Sequence, residues 1–210
     1  MVDILISGGP VMIPLGLLSM VAVAIIMERL WVLRRSNFLE NSTVQTLSGL
    51  LASDKFQGAI DFCHRHPGPF TDLVIALVEN RRAPYEELRE ILEDTGRLQL
   101  MGLQRGLPAL GTIVAGAPLL GLHGTIIGMI NLFSVVATAG SGITEQLSSG
   151  NSKALITPAT GLVIAIPALF VHSYLESRAM SILADIEAQI LDYLHLVREH
   201  EQVRADEEDG

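Results

Sequence analysis

The chain has 210 residues, a formal net charge of −9 and a mean hydropathy of +0.42. This hydropathy is high for a soluble domain and low for a protein that lies wholly in lipid, so it indicates a few membrane spans joined to a polar part. The acidic balance excludes a nucleic-acid partner, which would need a basic surface, and the single cysteine, Cys63, excludes an internal disulfide.

The first apolar run covers residues 10–33 and predicts a transmembrane helix after a short N-terminal segment, residues 1–9. About twenty apolar residues are enough to cross the hydrocarbon core of a bilayer. Arg29 and Arg34 lie at the far end of the run beside Trp31, and basic residues with an interfacial tryptophan are typical of a cytoplasmic boundary. We therefore expect the N-terminus outside the cytoplasm and the chain after this helix in the cytoplasm.

Residues 34–107 are polar, and their apolar side chains recur at helical spacing. The pattern predicts a cytoplasmic helical domain with short helices at 37–52, 55–64 and 71–82. A longer helix is expected to open with Pro84 at its first position and to continue into the next apolar run. Nine of the fourteen Lys and Arg residues lie between Arg34 and Arg105, which by the positive-inside rule places this domain in the cytoplasm.

Cys63, His64 and His66 form the one cluster in this domain whose side chains could bind a metal. Two of the three are neighbours at the end of a predicted helix, and the sequence offers no fourth ligand near them. We therefore expect an ordinary polar turn here, with no metal and no cofactor.

The second apolar run, residues 108–138, contains no Asp, Glu, Lys or Arg and predicts the second transmembrane helix. It is unusually rich in glycine. Small residues let membrane helices approach closely, and Gly124 and Gly128 form a GxxxG pair. We therefore predict that protein packs on several sides of this helix, with Gly121, Gly124 and Gly128 as packing positions.

The third predicted span, residues 154–175, also carries small residues on one face of a helix. Thr157 and Gly161 lie at positions i and i+4, which places them one above the other. Pro158 and Pro167 lie in the same span, and we expect each to remove one helical hydrogen bond.

Two polar segments flank the third span. Residues 139–153 are rich in Gly and Ser and carry few charges, which predicts a loop on the external side of the membrane, the periplasmic side in a bacterial inner membrane. Residues 176–210 predict a cytoplasmic amphipathic helix that ends in an acidic tail. The apolar residues expected to share one side of this helix are Met180, Leu183, Ile186, Ile190, Leu191 and Leu194.

The polar side chains of the second and third spans limit their chemistry. Apart from His172, Ser173 and Tyr174 at the cytoplasmic end of the third span, they are Thr112, His123, Thr125, Asn131, Ser134, Thr138, Thr157 and Thr160. They offer no nucleophile with a base beside it, so the chain is not expected to be an enzyme. Proton relays in membranes are built from Asp, Glu or His, and these spans hold no carboxylate. If the chain conducts protons, another chain must supply the titrating carboxylate.

His123 lies two positions before Thr125, which corresponds to about 200° around an α-helix. If Thr125 faces a pore, His123 therefore faces away from it, toward another helix. We interpret His123 as a neutral packing histidine rather than as a relay residue.

Two segments resemble the MotA/TolQ/ExbB proton-channel family, and within it ExbB most closely. They read A-P-L-L-G-L-H-G-T-I-I-G-M-I at residues 117–130 and G-N-S-K-A-L-I-T-P-A-T-G-L-V-I-A-I-P-A at residues 150–168. The resemblance implies a multi-pass protein of the bacterial inner membrane that forms a pentamer, with spans two and three around a central pore. It also implies an ExbD-like single-span partner whose aspartate carries the proton, and a TonB-like protein that is energised for outer-membrane transport.

The resemblance implies roles for individual residues. Thr125 matches the family's pore threonine in span two. Pro158 stands where the second pore threonine is expected, so Thr157 or Thr160 would substitute for it, and His123 replaces a leucine. The implied proton pathway is lined by Thr125, Thr157 and Thr160, and the helix-packing positions are Gly121, Gly124, Gly128, Pro158 and Gly161.

Two alternative functions accompany this interpretation. A TolQ-like subunit would serve the integrity of the cell envelope, and a static oligomer would hold the partner without conducting protons. The three predicted spans argue against MotA itself, which has four.

The predicted topology is testable with alkaline phosphatase fusions, because this enzyme is active only outside the cytoplasm. A fusion after Ser148, in the predicted periplasmic loop, is expected to be active, and a fusion after Asn80 is expected to be inactive. The reverse pattern would contradict the orientation inferred from the basic residues.

Overall fold

The computed structural model describes residues 9–34, 38–139 and 155–208, and the regular elements in these ranges are all helices. They are α1 (Met12–Val32), α2 (Asn41–Ala52), α3 (Phe56–Arg65), α4 (Pro69–Glu79), α5 (Tyr85–Leu103), α6 (Leu107–Ala139) and α7 (Ile156–Glu208). α1, α6 and α7 are long and apolar enough to cross a membrane. The predicted all-α chain with three spans is therefore confirmed, whereas most of the predicted N-terminal segment and of the loop at 139–153 lies outside the described residues.

The chain divides into two compact units, one of residues 1–30 with 106–175 and one of residues 31–105 with 176–210. The first unit contains α1, α6 and the first twenty residues of α7. Its core is small, with Leu15 of α1 fully buried beside Ala117 of α6 and Ala165 of α7. Most of its other large apolar side chains are exposed, as expected of helices that face lipid or further membrane helices.

The second unit has an apolar core of its own, built from α2 to α5 and from α7 beyond Glu176. Tyr193 of α7 is fully buried at its centre. Its ring lies 5.9 Å from that of Phe70 on α4, and its hydroxyl donates a hydrogen bond of 2.7 Å to the carbonyl oxygen of Val44 on α2. One side chain thus joins three helices and satisfies its own polar atom.

Both ends of α5 differ from the predicted ones. α5 ends at Leu103 instead of continuing into the second span, because Gly106 adopts a φ of +82°. Glycine reaches this left-handed conformation without strain, and a right-handed helix cannot continue through it. Pro84 has an extended conformation and caps α5, which begins at Tyr85, so it is not the first helical residue.

The apolar face of α7 in the second unit also differs from the predicted one. Ile186, Ile190 and Leu194 are buried as expected, but Met180 and Leu191 are about half exposed, at 50% and 52%. The buried stripe is completed by other residues at spacings of three and four along the helix: Ile182, Tyr193 and Val197. Leu191 and Met180 lie outside this stripe. The predicted face includes them because apolar character alone does not give the rotation of a helix.

The environment of Cys63 predicts an unreactive thiol. Burial, and secondarily the carboxylate of Asp72, raise the pKa of Cys63 from 9.0 to about 11, so the nucleophilic thiolate is scarce at pH 8. Labelling with a thiol reagent at pH 8 is expected to be about a hundredfold slower in the folded protein than in urea.

The same shift predicts a pH dependence of stability. The folded state holds the Cys63 proton more tightly than the unfolded chain, so the free energy of unfolding is expected to fall as the pH rises from 9 to about 11. Cys63→Ser should remove this part of the dependence. In the labelling experiment described above, rapid reaction of the native protein at pH 8 would contradict the burial of the Cys63 thiol.

Candidate functional site

A close contact within the first unit joins α6 to α7 through glycines. A methyl group on Gly161 of α7 would lie 2.5 Å from the carbonyl oxygen of Ala117 on α6. A methyl group on Gly121 of α6 would lie 2.8 Å from the carbonyl oxygen of Thr157 and equally close to Cα of Pro158. Because the obstructing atoms belong to the backbone, no side chain fits at either position unless the helices move apart.

Gly124 forms the third part of this contact and accommodates Thr157. The side chain of Thr157 is 2% exposed, and a methyl group on Gly124 would lie 2.7 Å from its Oγ1. The structure therefore places this predicted pore residue between α6 and α7 of its own chain. Gly128, one turn further along α6, is half-buried.

Thr125 and Thr160, the other two predicted pore residues, lie beside the contact rather than in it. Thr125 directly follows Gly124, about 100° further around α6, and its hydroxyl donates a hydrogen bond of 2.6 Å to the carbonyl oxygen of Leu122. The hydroxyl of Thr160 donates a hydrogen bond of 2.8 Å to the carbonyl oxygen of Ile156. Both side chains are partly exposed, and each hydroxyl oxygen retains the capacity to accept a further hydrogen bond.

Pro158 does not remove a hydrogen bond from the third span, and that expectation was wrong. α7 begins at Ile156, two residues later than the predicted span, so Pro158 lies in the first turn. Backbone N–H groups in a first turn have no partner within the helix, and proline is tolerated there. Pro167 lies in the interior of α7 and does remove one such bond.

His123 is exposed on α6. It lies about 200° from Thr125 around the helix, so the two side chains occupy opposite flanks of the contact with α7. Its interpretation as a packing histidine needs a neighbouring helix from another chain and stays a prediction.

Two polar residues of this unit are more buried than the sequence pattern predicts: His172 is half-buried and Arg29 is buried. His172 of α7 packs against α6, where a methyl group on Gly111 would lie 3.1 Å from its Nε2. The sequence contains an indication of this packing, because His172 continues the stripe of Gly161, Ala165 and Ala168 at helical spacing. Arg29 of α1 is 5% exposed, and its Nη2 donates to Oε1 of Glu28 over 2.6 Å.

The described residues gather no three His, Cys, Asp or Glu side chains in a way that could hold a metal ion. In the turn considered above, Cys63 is buried. His66 is exposed, and its ring stacks on that of Phe62 with the centroids 4.3 Å apart.

A family model described as the MotA/TolQ/ExbB proton channel family matches residues 67–188. The matched segment contains α6 and the glycine contact between α6 and α7.

Three relatives illustrate the similarity. The putative biopolymer transport protein ExbB-like 1 of Synechocystis sp. is 32% identical over 200 residues, which cover 94% of this chain and 76% of the relative. The Tol-Pal system protein TolQ of Pseudomonas aeruginosa is 26% identical over 195 residues, 83% of each chain. The biopolymer transport protein exbB1 of Vibrio cholerae is 39% identical over 102 residues, 48% of this chain and 44% of the relative.

The glycine contact predicts that two similar substitutions differ in their effect on stability. Gly161→Ala places a methyl group against the carbonyl of Ala117 and is expected to lower the stability in detergent by about 1–3 kcal/mol. Gly116→Ala, on α6, is the matched control, since the added methyl group would have no described atom within 4 Å beyond its own turns of α6. Unfolding by SDS in mixed micelles measures both, and equal effects would contradict the importance of the contact.

Proposed function

Because the chain belongs to the MotA/TolQ/ExbB proton channel family, we propose that it is an ExbB-like subunit of a proton channel in the bacterial inner membrane. In this proposal an ExbD-like single-span partner supplies a protonatable aspartate. Several copies of the chain, five by the family resemblance, surround the partner's helix. Proton flow then energises a TonB-like protein for transport across the outer membrane.

The observation that carries the proposal is the absence of any acid or lysine from two tightly packed membrane helices. α6 and residues 156–175 of α7 contain no Asp, Glu, Lys or Arg. Their glycine contact leaves no space for water or ions between them. The histidines of these helices lie away from Thr125, since His123 is about 200° around α6 from it and His172 packs against Gly111. A proton pathway along Thr125 therefore needs a carboxylate from another chain.

The hydroxyls of the wall divide into two roles in this proposal. Thr125 and Thr160 are partly exposed, so they offer acceptor oxygens to the partner's carboxyl or to water near it. Thr157 is buried against Gly124 and acts through packing. Such a division is needed because Pro158, which has no hydroxyl, stands at the position of the family's second pore threonine.

The energy available to such a channel is adequate for mechanical work. Each proton that crosses the membrane releases about 2.3 kcal/mol per 100 mV of potential. A few protons thus release as much free energy as a protein needs to exchange two packed conformations.

A TolQ-like role is the second candidate, because the Pseudomonas aeruginosa TolQ aligns with 83% of this chain. Deletion of the gene separates the two roles. Poor growth under iron starvation supports the ExbB-like role, and sensitivity to detergent with normal iron uptake supports the TolQ-like one.

The channel proposal predicts that Thr125→Val reduces TonB-dependent uptake by about tenfold or more while the complex still assembles. Valine preserves the shape of threonine but cannot accept a hydrogen bond. Replacing the partner's aspartate with asparagine should have the same effect.

Thr112→Val is the matched control, because Thr112 is also on α6 and its hydroxyl donates to the backbone carbonyl of Pro108. A pH-sensitive dye enclosed in vesicles measures conduction directly. Normal proton flux and uptake in both the Thr125 variant and the aspartate variant would show that the chain is a static scaffold.

A further inference from the structure

An open groove runs along the second unit between α4, α5 and α7. Its cavity has a volume of about 390 Å³. Leu73, Ile190 and Leu194 form a buried apolar floor, and Tyr85 and Leu191 stand at its rim, each 52% exposed. An exposed apolar groove in a unit that has a well-packed core of its own is typical of a surface that binds another chain.

Acidic side chains line the groove. Glu93 of α5 and Glu187 of α7 both border it. Gly96 brings α5 close to Glu187, whose Oε1 lies only 3.1 Å from where a Cβ of Gly96 would be. Arg89, the basic residue of the lining, is already paired, since its Nε donates to Oε1 of Glu93 over 3.0 Å.

The acidic surface extends beyond the groove. Glu86, Glu87 and Glu90 adjoin it on the outer side of α5, and the whole chain carries a net charge of −9. These carboxylates disfavour an anionic membrane surface, and the same acidic face of a second copy, as occupants of the groove, because both are negative. They favour a positively charged occupant.

We propose that the groove binds a basic amphipathic helix of a different polypeptide. Apolar side chains on one face of that helix occupy the floor and contact Leu191 and Tyr85, as in other helix-in-groove complexes. Lys or Arg residues beside that face pair with Glu187 and with Oε2 of Glu93, the carboxylate oxygen that Arg89 leaves open. The binding is independent of proton conduction, so Thr125→Val should leave it unchanged.

The probe is a fluorescent helical peptide of about 15 residues that carries Leu on one face and Lys on the other. It is titrated into the full-length protein in nanodiscs of zwitterionic lipid, with empty nanodiscs as the blank. A peptide with Glu in place of every Lys is the matched competitor. The Lys peptide is expected to bind about tenfold more tightly than the Glu peptide, with weaker binding at high salt.

Two pairs of variants locate the binding site. Leu191→Ser should weaken the binding of the Lys peptide by about tenfold, whereas Leu98→Ser should not, because Leu98 is 66% exposed and lies outside the groove. Glu187→Gln should weaken it by about two- to threefold, and Glu79→Gln, exposed elsewhere on the same unit, should not. Slow labelling of Cys63 checks that each variant is folded.

Three results would overturn the proposal. They are equal binding of the two peptides, binding that Leu191→Ser leaves unchanged, and a photo-crosslinker at position 191 that joins two copies of this chain in the membrane. The last result would mean that the groove is an interface between copies.

Discussion

The approach of α6 and α7 at Gly121, Gly124 and Gly161 is the constraint on which the first unit depends. Each helix presents glycine to the backbone of the other, so α6 receives Thr157 and Pro158 while α7 receives Ala117. Contacts in both directions fix the register of the two helices and their rotation about their own axes. In lipid, where apolar burial provides no driving force between helices, such close packing is the principal source of association.

The rotation fixed by this contact determines where the polar side chains next to it lie. It buries Thr157, leaves Thr125 and Thr160 on the flanks, and directs His172 toward Gly111. An uncharged wall of this kind suits a channel whose proton carrier belongs to a partner, since the wall then offers hydroxyls for orientation and no competing charge. The family match to residues 67–188 includes this contact.

α7 shows how one continuous helix can meet two sets of physical requirements. Residues 156–175 contain no charge, and most of their large side chains are exposed, as a lipid environment permits. Beyond Glu176 the sequence becomes amphipathic, and Ile186, Tyr193 and Val197 enter a core of the kind found in soluble domains. The exposed Leu191 and the adjacent groove are exceptions to that pattern, which is why they indicate a binding surface.

The sequence by itself determined the fold class, the number of spans and the family. These properties depend on long apolar runs, on helical periodicity and on short glycine-containing motifs, all of which are local along the chain. The three apolar helices lie where the hydropathy predicted them. Gly121, Gly124 and Gly161 are residues at which α6 and α7 approach closely.

Only the tertiary structure decided which polar groups are buried and which apolar groups are not. It placed Thr157 inside the contact with α6, Pro158 in a first turn where it breaks no hydrogen bond, and Leu191 at the rim of a groove. Helical periodicity gives the relative angles of residues on one helix but not the direction in which its neighbours lie. That direction is set by contacts between residues far apart in sequence, such as Gly161 with Ala117 and Tyr193 with Val44.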